Sequence, residues 1–169
     1  MKKYLLILAA ALLLTGCGTS SAVEEPIGEE FASFTSTDLD GNEVNQSIIS
    51  EADLTMLNIW GTFCGPCINE MPDLGELADE YADKGVQIIG IPIDVYDEAG
   101  IGEAKDIIET TGADYLHLLP SEDLMTIYLN GVDAVPTTLF IDKTGTIIDT
   151  VIGSKSKSDW EKVIDEKLQ

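Results

Sequence analysis

The feature that most constrains this chain is a pair of cysteines two residues apart, placed between an apolar run and an amphipathic segment. The motif Cys64-Gly65-Pro66-Cys67 follows Leu54–Trp60, a nearly continuous apolar run that is typical of a buried central strand. After the pair, apolar residues recur at helical spacing as far as Tyr81, and Gly85 can end that helix. The pattern predicts a buried strand, a turn that carries both cysteines and a helix that begins at the pair.

This placement gives the two cysteines different chemistry. The sulfur of Cys64 is expected near the free N–H groups and the partial positive charge of the helix N-terminus, which favour a thiolate. Pro66 suits the first helical turn, because it has no N–H to lose. We therefore expect Cys64 to be the exposed nucleophile that attacks a substrate disulfide. Cys67 is expected to be the buried resolving thiol, which releases the reduced substrate from the mixed disulfide.

Other uses of a cysteine pair fit the sequence less well. A zinc site needs four ligands, and His117 is the only histidine in the chain. Covalent haem attachment needs a histidine directly after the second cysteine, where this chain has Ile68. A purely structural disulfide stays open, although so short a loop stabilises a fold little. The sequence thus indicates redox chemistry with no metal and no cofactor, and His117 is expected to be a packed or surface residue.

The first sixteen residues have the pattern of a secretory leader. Two lysines precede an apolar run, residues 4–14, that is too short to span ~30 Å of hydrocarbon. The sequence Leu14-Thr15-Gly16-Cys17 resembles the lipobox of bacterial lipoproteins; an ordinary secretory signal with an incidental cysteine is the alternative. The resemblance implies that residues 1–16 are a lipoprotein signal peptide. It also implies that Cys17 is lipidated and anchors an extracytoplasmic protein to the bacterial cell membrane.

Small, polar and acidic residues follow this cysteine. Residues 17–30 are expected to form the lipidated end and a flexible tether, and residues 31–169 a single domain with a hydrophobic core. The chain holds 31 acidic residues against nine lysines and no arginine, for a formal net charge of −22. Such a surface repels phosphate backbones and anionic lipid headgroups. Nucleic-acid binding is therefore not expected, and membrane attachment must come from the lipid anchor.

The remaining segments alternate between strand and helix patterns. An Asp-Gly pair at 40–41 predicts an N-terminal hairpin. The further predicted elements are strands at 86–93 and 115–119, helices at 102–111 and 121–129, a strand hairpin at 137–142 and 146–152, and a C-terminal helix at 156–169. That last helix is expected to have Ser158 as its N-cap and to bury Trp160, Val163, Ile164 and Leu168. Alternating strands and helices predict an α/β fold with a mixed central sheet flanked by helices.

The run NIWGTFCGPCINEMP at residues 58–72 looks like the active site of the TlpA/ResA-like thiol-disulfide oxidoreductases, which are membrane-tethered members of the thioredoxin superfamily. The resemblance covers the whole chain after the tether, including the N-terminal β-hairpin, an inserted strand–helix segment around residues 86–120 and the late sequence 134–142. It implies a thioredoxin-like fold. It also implies an enzyme, a thiol-disulfide oxidoreductase of the protein-disulfide reductase type.

The same resemblance implies further site residues. Pro136 would be a cis-proline beside the disulfide that presents the Val135 backbone to an extended substrate, whereas an ordinary strand-opening proline is the alternative. Glu70 matches an acid that shuttles protons to or from Cys67; without that match, a solvated helix-face glutamate would explain it equally well. The implied substrate-binding residues are Trp60, Gly65, Pro66, Val135 and Pro136.

Three features near the pair bear on its chemistry. Asn58 stands where cytoplasmic thioredoxins keep a buried acid, so proton transfer must use Glu70 or water. Phe63 replaces the tryptophan that is common before the first cysteine, which alters the rim of the site. The dipeptide Gly65-Pro66 is the one found in thioredoxin, and it suggests a reduction potential nearer ~−270 mV than ~−120 mV.

The leading interpretation is a reductase of extracytoplasmic protein disulfides, in cytochrome c maturation or in supplying reductant to another extracytoplasmic reductase. The family resemblance implies a monomer that receives electrons from a membrane donor of the CcdA/DsbD type. A disulfide oxidase or isomerase is the main alternative. A thiol peroxidase would need a threonine three residues before the attacking cysteine, where this chain has Gly61. A chaperone-like adaptor without redox activity is a further alternative, which the intact cysteine pair disfavours.

Overall fold

A computed structural model of the chain describes residues 33–127 and 131–169. The expected signal peptide, Cys17 and the tether lie outside these ranges, as does the expected helix end at Leu129, so they stay predictions. The elements in chain order are β1 (Thr35–Thr37), β2 (Glu43–Asn45), a 3-10 helix (Gln46–Glu51), β3 (Leu54–Trp60), α1 (Gly65–Ala82), β4 (Val86–Pro92), α2 (Glu98–Thr111), β5 (Leu116–His117), α3 (Glu122–Ile127), β6 (Thr137–Asp142), β7 (Ile147–Ile152) and α4 (Lys157–Lys167). Within the described ranges, no helix is both long enough and apolar enough to cross a membrane.

A mixed five-stranded sheet with the order β5-β4-β3-β6-β7 forms the centre of the fold. Strands β4 and β5 run parallel to β3, whereas β6 is antiparallel to β3 and β7 is antiparallel to β6. Every residue of β3 is buried, which explains why its sequence shows no polar alternation. The short β1–β2 hairpin forms a separate two-stranded sheet at the N-terminal side. The mixed sheet flanked by helices is the one that the sequence pattern predicts, and it fits the thioredoxin-like fold that the family resemblance implies.

Helices cover both faces of the sheet. On one face, α1 and α4 pack through Leu74, Leu77 and Trp160 against β3 and β6. On the other face, the 3-10 helix and α3 contribute Ile49 and Leu124 to a second apolar cluster. Helix α2 lies beside α1, and the cluster that it lines also holds both cysteines of the motif. The functional pair therefore sits at the end of the central strand, against the core.

Several elements begin or end at other residues than the sequence predicts. Helix α2 begins at Glu98 rather than Gly102, because the Asp97 side chain caps it by accepting a hydrogen bond from the N–H of Gly100. Gly100 and Gly102 both lie inside the helix. Strand β5 spans two residues instead of the expected five, β4 ends at Pro92, and β7 begins at Ile147.

The C-terminal helix differs at both ends from the expectation. Its N-cap is Ser156 and not Ser158, because the Ser156 hydroxyl accepts the hydrogen bond from the N–H of Asp159. Serines alternate with lysines at 154–158, so the sequence alone offers several equivalent caps. Trp160 and Ile164 are buried as expected, whereas Leu168, the C-cap residue, is 37% exposed and not part of the inner face.

Candidate active site

Helix α1 begins at the cysteine pair, and the pair forms a disulfide. Cys64 is the N-cap residue, and its Sγ accepts a hydrogen bond of 3.2 Å from the backbone N–H of Cys67. The two Cα atoms lie 5.3 Å apart. The sulfur of Cys64 thus occupies the position where the helix N-terminus stabilises negative charge, as the sequence predicts.

The two cysteines differ less in exposure than expected. Cys67 is fully buried, but Cys64 is only 6% exposed in this oxidised state, so the expectation of an exposed nucleophile is wrong here. The reason is that the carbonyl oxygen of Val135 lies 3.7 Å from Cys64 Sγ and covers it. Gly65 and Pro66, in contrast, are exposed beside the sulfur. The exposed surface next to the Cys64 sulfur is therefore that of Gly65 and Pro66.

The loop that covers Cys64 is held by the end of the sheet. The Val135–Pro136 peptide bond is cis, as the family resemblance implies, and β6 begins directly after it. The Pro136 carbonyl accepts a 2.8 Å hydrogen bond from the N–H of Gly153, which follows β7. Pro136 is buried and Val135 is half-buried.

Glu70 lies one turn beyond Cys67 and faces the interior. Only 3% of the residue is exposed, which excludes the alternative of a solvated helix-face glutamate. Its Oε1 accepts from Asn58 Nδ2 at 3.3 Å, and its Oε2 accepts from the Lys155 backbone N–H at 3.1 Å and from Trp160 Nε1 at 3.2 Å. Burial raises the pKa of Glu70, the nearby Asp73 charge raises it further, and these hydrogen bonds oppose the shift.

Asn58 of β3 is the partner that can serve both protonation states of Glu70. Its Nδ2 donates to Glu70 Oε1 and, at 3.1 Å, to Thr138 Oγ1, whereas its buried Oδ1 has no partner in the described part of the chain. A protonated Glu70 can donate to an amide oxygen, and an ionised one can accept from the amide nitrogen. The site thus has a group on the central strand that can accompany proton uptake and release by Glu70.

Trp60 and His117 form a buried pair below the cysteines that sequence reasoning did not find. Trp60 is fully buried in the cluster that holds both cysteines, so its expected direct contact with substrate does not fit the structure. Its indole N–H donates to His117 Nδ1 at 3.3 Å, and His117 Nε2, 3.0 Å from the Ala113 carbonyl, must carry the proton. Burial lowers the pKa of His117 to about 4, although the Ala113 carbonyl and the Asp114 charge oppose the shift.

The His117 ring occupies space that a glycine leaves open on the neighbouring strand. Gly90 is paired with His117 in the sheet, and a Cβ at Gly90 would collide with the imidazole. Tyr115 stacks on the other face of the ring with 4.5 Å between centroids. A glycine inside an apolar strand is a signal of such a close approach, and Gly90 in VQIIGIPI was the available hint.

Comparison with known proteins agrees with this geometry. The family model described as Redoxin matches residues 26–166. The thiol-disulfide oxidoreductase ResA of Bacillus anthracis is 33% identical over 136 residues, which cover 80% of this chain and 75% of that protein. ResA of Bacillus thuringiensis subsp. konkukian is 30% identical over 175 residues, with 97% of both chains covered.

Solved structures show the same fold. A thioredoxin-family thiol:disulfide interchange protein from Chlorobium tepidum superimposes with a TM-score of 0.73 at 21% identity, over 86% of this chain and 99% of that one. A putative thiol:disulfide interchange protein DsbE from the same organism gives a TM-score of 0.70 at 24% identity, over 84% and 97%. With the sequence relatives and the Cys64–Cys67 pair, these matches show that the chain belongs to the Redoxin family as a TlpA/ResA-like thiol-disulfide oxidoreductase of the thioredoxin superfamily.

Proposed function

We propose that this protein is a membrane-anchored, extracytoplasmic reductase of protein disulfides. The Cys64 thiolate attacks one sulfur of a client disulfide and forms a mixed disulfide, and the other client sulfur leaves as a thiolate that takes a proton from water. Cys67 loses its proton to Glu70 and attacks the Cys64 sulfur, which expels the second client sulfur as a thiolate. That thiolate takes the proton from Glu70, so the client leaves as a dithiol. The Cys64–Cys67 disulfide then stays oxidised until a donor dithiol reduces it with two electrons.

The observation that carries the reducing direction is the buried Glu70 carboxyl, whose hydrogen-bond donors are all neutral. They are a side-chain amide, a backbone N–H and an indole N–H. A strong oxidant is one whose reduced form, with its thiolate, is stabilised. When Glu70 is ionised, its negative charge, one turn from Cys67, destabilises a nearby thiolate instead. This arrangement supports a low reduction potential, in agreement with the Gly65-Pro66 dipeptide.

Exposed apolar side chains around the site support a protein as the client. Phe63 directly precedes Cys64 and is 70% exposed, and Ile152, next to the Gly153 that binds the Pro136 carbonyl, is equally exposed. Isolated exposed apolar residues are ordinary, but here one directly precedes Cys64 in the chain and the other directly precedes the residue that binds the cis-proline loop. An extended client segment can pair with the Val135 backbone while its side chains contact these two residues.

Anchoring and partners complete the proposal. The lipobox-like sequence at residues 14–17 supports attachment through lipidated Cys17 to the outer face of the cytoplasmic membrane. A reducing dithiol in an oxidising compartment needs a supply of electrons, for which a membrane donor of the CcdA/DsbD type is the family's solution. The client would then be a protein of cytochrome c maturation or an extracytoplasmic reductase, and the enzyme would act as a monomer.

Two measurements test the reducing direction. The equilibrium of the full chain with glutathione and dithiothreitol buffers should give a potential nearer ~−270 mV than ~−120 mV. The reduced chain should also reduce insulin, and a Cys64→Ser variant should not. A potential near ~−120 mV would identify a disulfide oxidase instead, and wild-type protein inactive towards insulin would contradict the reductase.

A further inference from the structure

An apolar groove lies between α1 and α2, beside the cysteine pair. Its volume is about 240 Å³. The residues that line it are Ile68, Glu103, Asp106, Ile107, Thr110 and Thr111. Ile68 directly follows Cys67, and Ile107 packs against the cluster that contains both cysteines. The groove, which we call the α1–α2 groove, therefore borders the cluster that contains the cysteine pair.

The packing of the two helices explains why the groove is open. They are in contact where Gly75 of α1 meets the carbonyl oxygen of Gly112, which caps α2, and a Cβ at Gly75 would collide with that oxygen. Ile68, seven residues earlier on α1, and Ile107 of α2 are both half-buried. Two apolar side chains are thus left partly uncovered between helices that touch elsewhere.

The surface around this groove is strongly acidic. Residues 94–114 contain seven acidic residues and one lysine. That lysine, Lys105, is engaged in an ion pair with Asp40 at 2.7 Å. The lining residues Glu103 and Asp106 are exposed, and neither has a cationic partner among the described residues. The groove therefore combines an apolar floor with negative charge that no cation in the described part of the chain neutralises.

We propose that the α1–α2 groove is a docking surface for a cationic segment of the protein client. An apolar client side chain enters between Ile68 and Ile107, and lysine or arginine residues on either side of it pair with Glu103 and Asp106. The inference rests on the proposed reductase function, because the docked client is the one whose disulfide meets Cys64.

Charge decides between this occupant and others. A second copy of the chain carries the same net charge of −22, and the segment at residues 18–30 contains four glutamates and no lysine, so both would be repelled. An anionic lipid surface or an acidic peptide would be repelled as well. A basic protein segment gains from the field before contact and from ion pairs after it.

The test uses two synthetic peptides that each contain an intramolecular disulfide and one leucine. One peptide carries three lysines around the leucine and the other three glutamates. The second-order rate constant for reaction with the fully reduced full chain should be roughly fivefold higher for the lysine peptide at low salt, and the difference should fall below about twofold at ~0.5 M NaCl. Replacing the leucine of the lysine peptide by alanine should slow the reaction roughly threefold.

Surface variants locate the effect. The double variant Glu103→Gln/Asp106→Asn should reduce the preference for the lysine peptide to below about twofold at low salt. The matched control Asp79→Asn/Asp83→Asn removes two exposed charges near the far end of α1, ~20 Å along the helix, and should keep the preference. Equal loss in both double variants would mean that only the net charge of the protein matters, and would overturn a specific groove.

A binding measurement separates this inference from the reductase proposal. Versions of both peptides with serine in place of cysteine are titrated into the oxidised chain, so that no chemistry is possible. Tighter binding of the lysine peptide that requires Glu103 and Asp106 supports the groove even if neither disulfide peptide is reduced, which would contradict only the reductase. Equal binding of both peptides would overturn the groove even if both are reduced.

Discussion

Acid should destabilise this fold through His117, and the structure sets the size of the effect. Burial lowers the folded-state pKa of His117 to about 4, from the ordinary value of 6.5 that applies when the chain is unfolded. Between these values the unfolded chain binds a proton that the folded chain does not, so stability falls as the pH falls from 6.5 towards 4. The expected loss from this one residue is about 2 kcal/mol at pH 5, relative to pH 7.5.

The loss of stability corresponds to the loss of one hydrogen bond, because His117 Nδ1 cannot accept from the Trp60 indole N–H once it is protonated. The assay is urea unfolding of the oxidised wild type and of His117→Gln at pH 7.5 and pH 5. Glutamine keeps an acceptor for the indole but does not titrate. Other groups that respond to acid are present in both proteins, including Glu70, whose raised pKa has the opposite effect of favouring the fold at low pH. Their contributions cancel in the difference.

Two outcomes would refute this reasoning. The first is a difference in unfolding free energy between wild type and His117→Gln that changes by less than about 0.5 kcal/mol between the two pH values. The second comes from a direct titration, which is simple because His117 is the only histidine in the chain. An imidazole resonance in the folded protein that titrates near pH 6.5 would show that the ring is not buried and hydrogen-bonded as the structure describes.

Three further substitutions probe the site and the helix contact beside it. Glu70→Gln should slow release of the reduced client from Cys64 by roughly 100-fold or more, because Cys67 loses its proton acceptor, and stopped-flow trapping of the mixed disulfide would check this. The same substitution should remove the Glu70 contribution to stability, which is present at low pH and lost as the pH rises through the raised pKa, and unfolding curves at pH 5 and 8 would check this. Gly75→Ala should destabilise the fold by about 1–3 kcal/mol, because the backbone of Gly112 blocks the new methyl group. Gly102→Ala, on the open surface of α2, should instead stabilise the fold by up to about 1 kcal/mol. Thermal unfolding that ranks the two variants in the reverse order would contradict the described packing.

The sequence predicted the structure best where a local pattern fits only one kind of element. The cysteine pair predicts a strand, a turn and a helix, because a helix N-terminus supplies the free N–H groups and the partial positive charge that stabilise the first sulfur as a thiolate. Helix α1 does begin at the pair. The apolar run before it predicts the bounds of β3 correctly, because a strand that is buried on both faces is apolar along its length and shows no alternation of apolar and polar residues. Gly112 marks the end of α2, where its φ of 68° suits a residue without a side chain.

Long-range pairings were beyond the sequence, because nothing local encodes them. His117 is separated from Gly90 by 27 positions and from Trp60 by 57, yet the three meet through the pairing of β3, β4 and β5. The cap of α4 failed for another reason, since three serines in five residues have the same local propensity. Contact between Ser156 and Asp159 decided among them.

The position of Glu70 on α1 explains why the C-terminal helix takes part in the active site. An acid on the central strand would have its distance to Cys67 set by how the helix packs on the sheet. Glu70 is on α1 itself, three residues after Cys67, so helical geometry fixes the two side chains on one face. A carboxyl group on that face needs donors from outside the helix, and the structure supplies them from Asn58, the Lys155 N–H and Trp160. Two of these come from α4 and the loop before it, so the C-terminal helix completes the active site as well as the core.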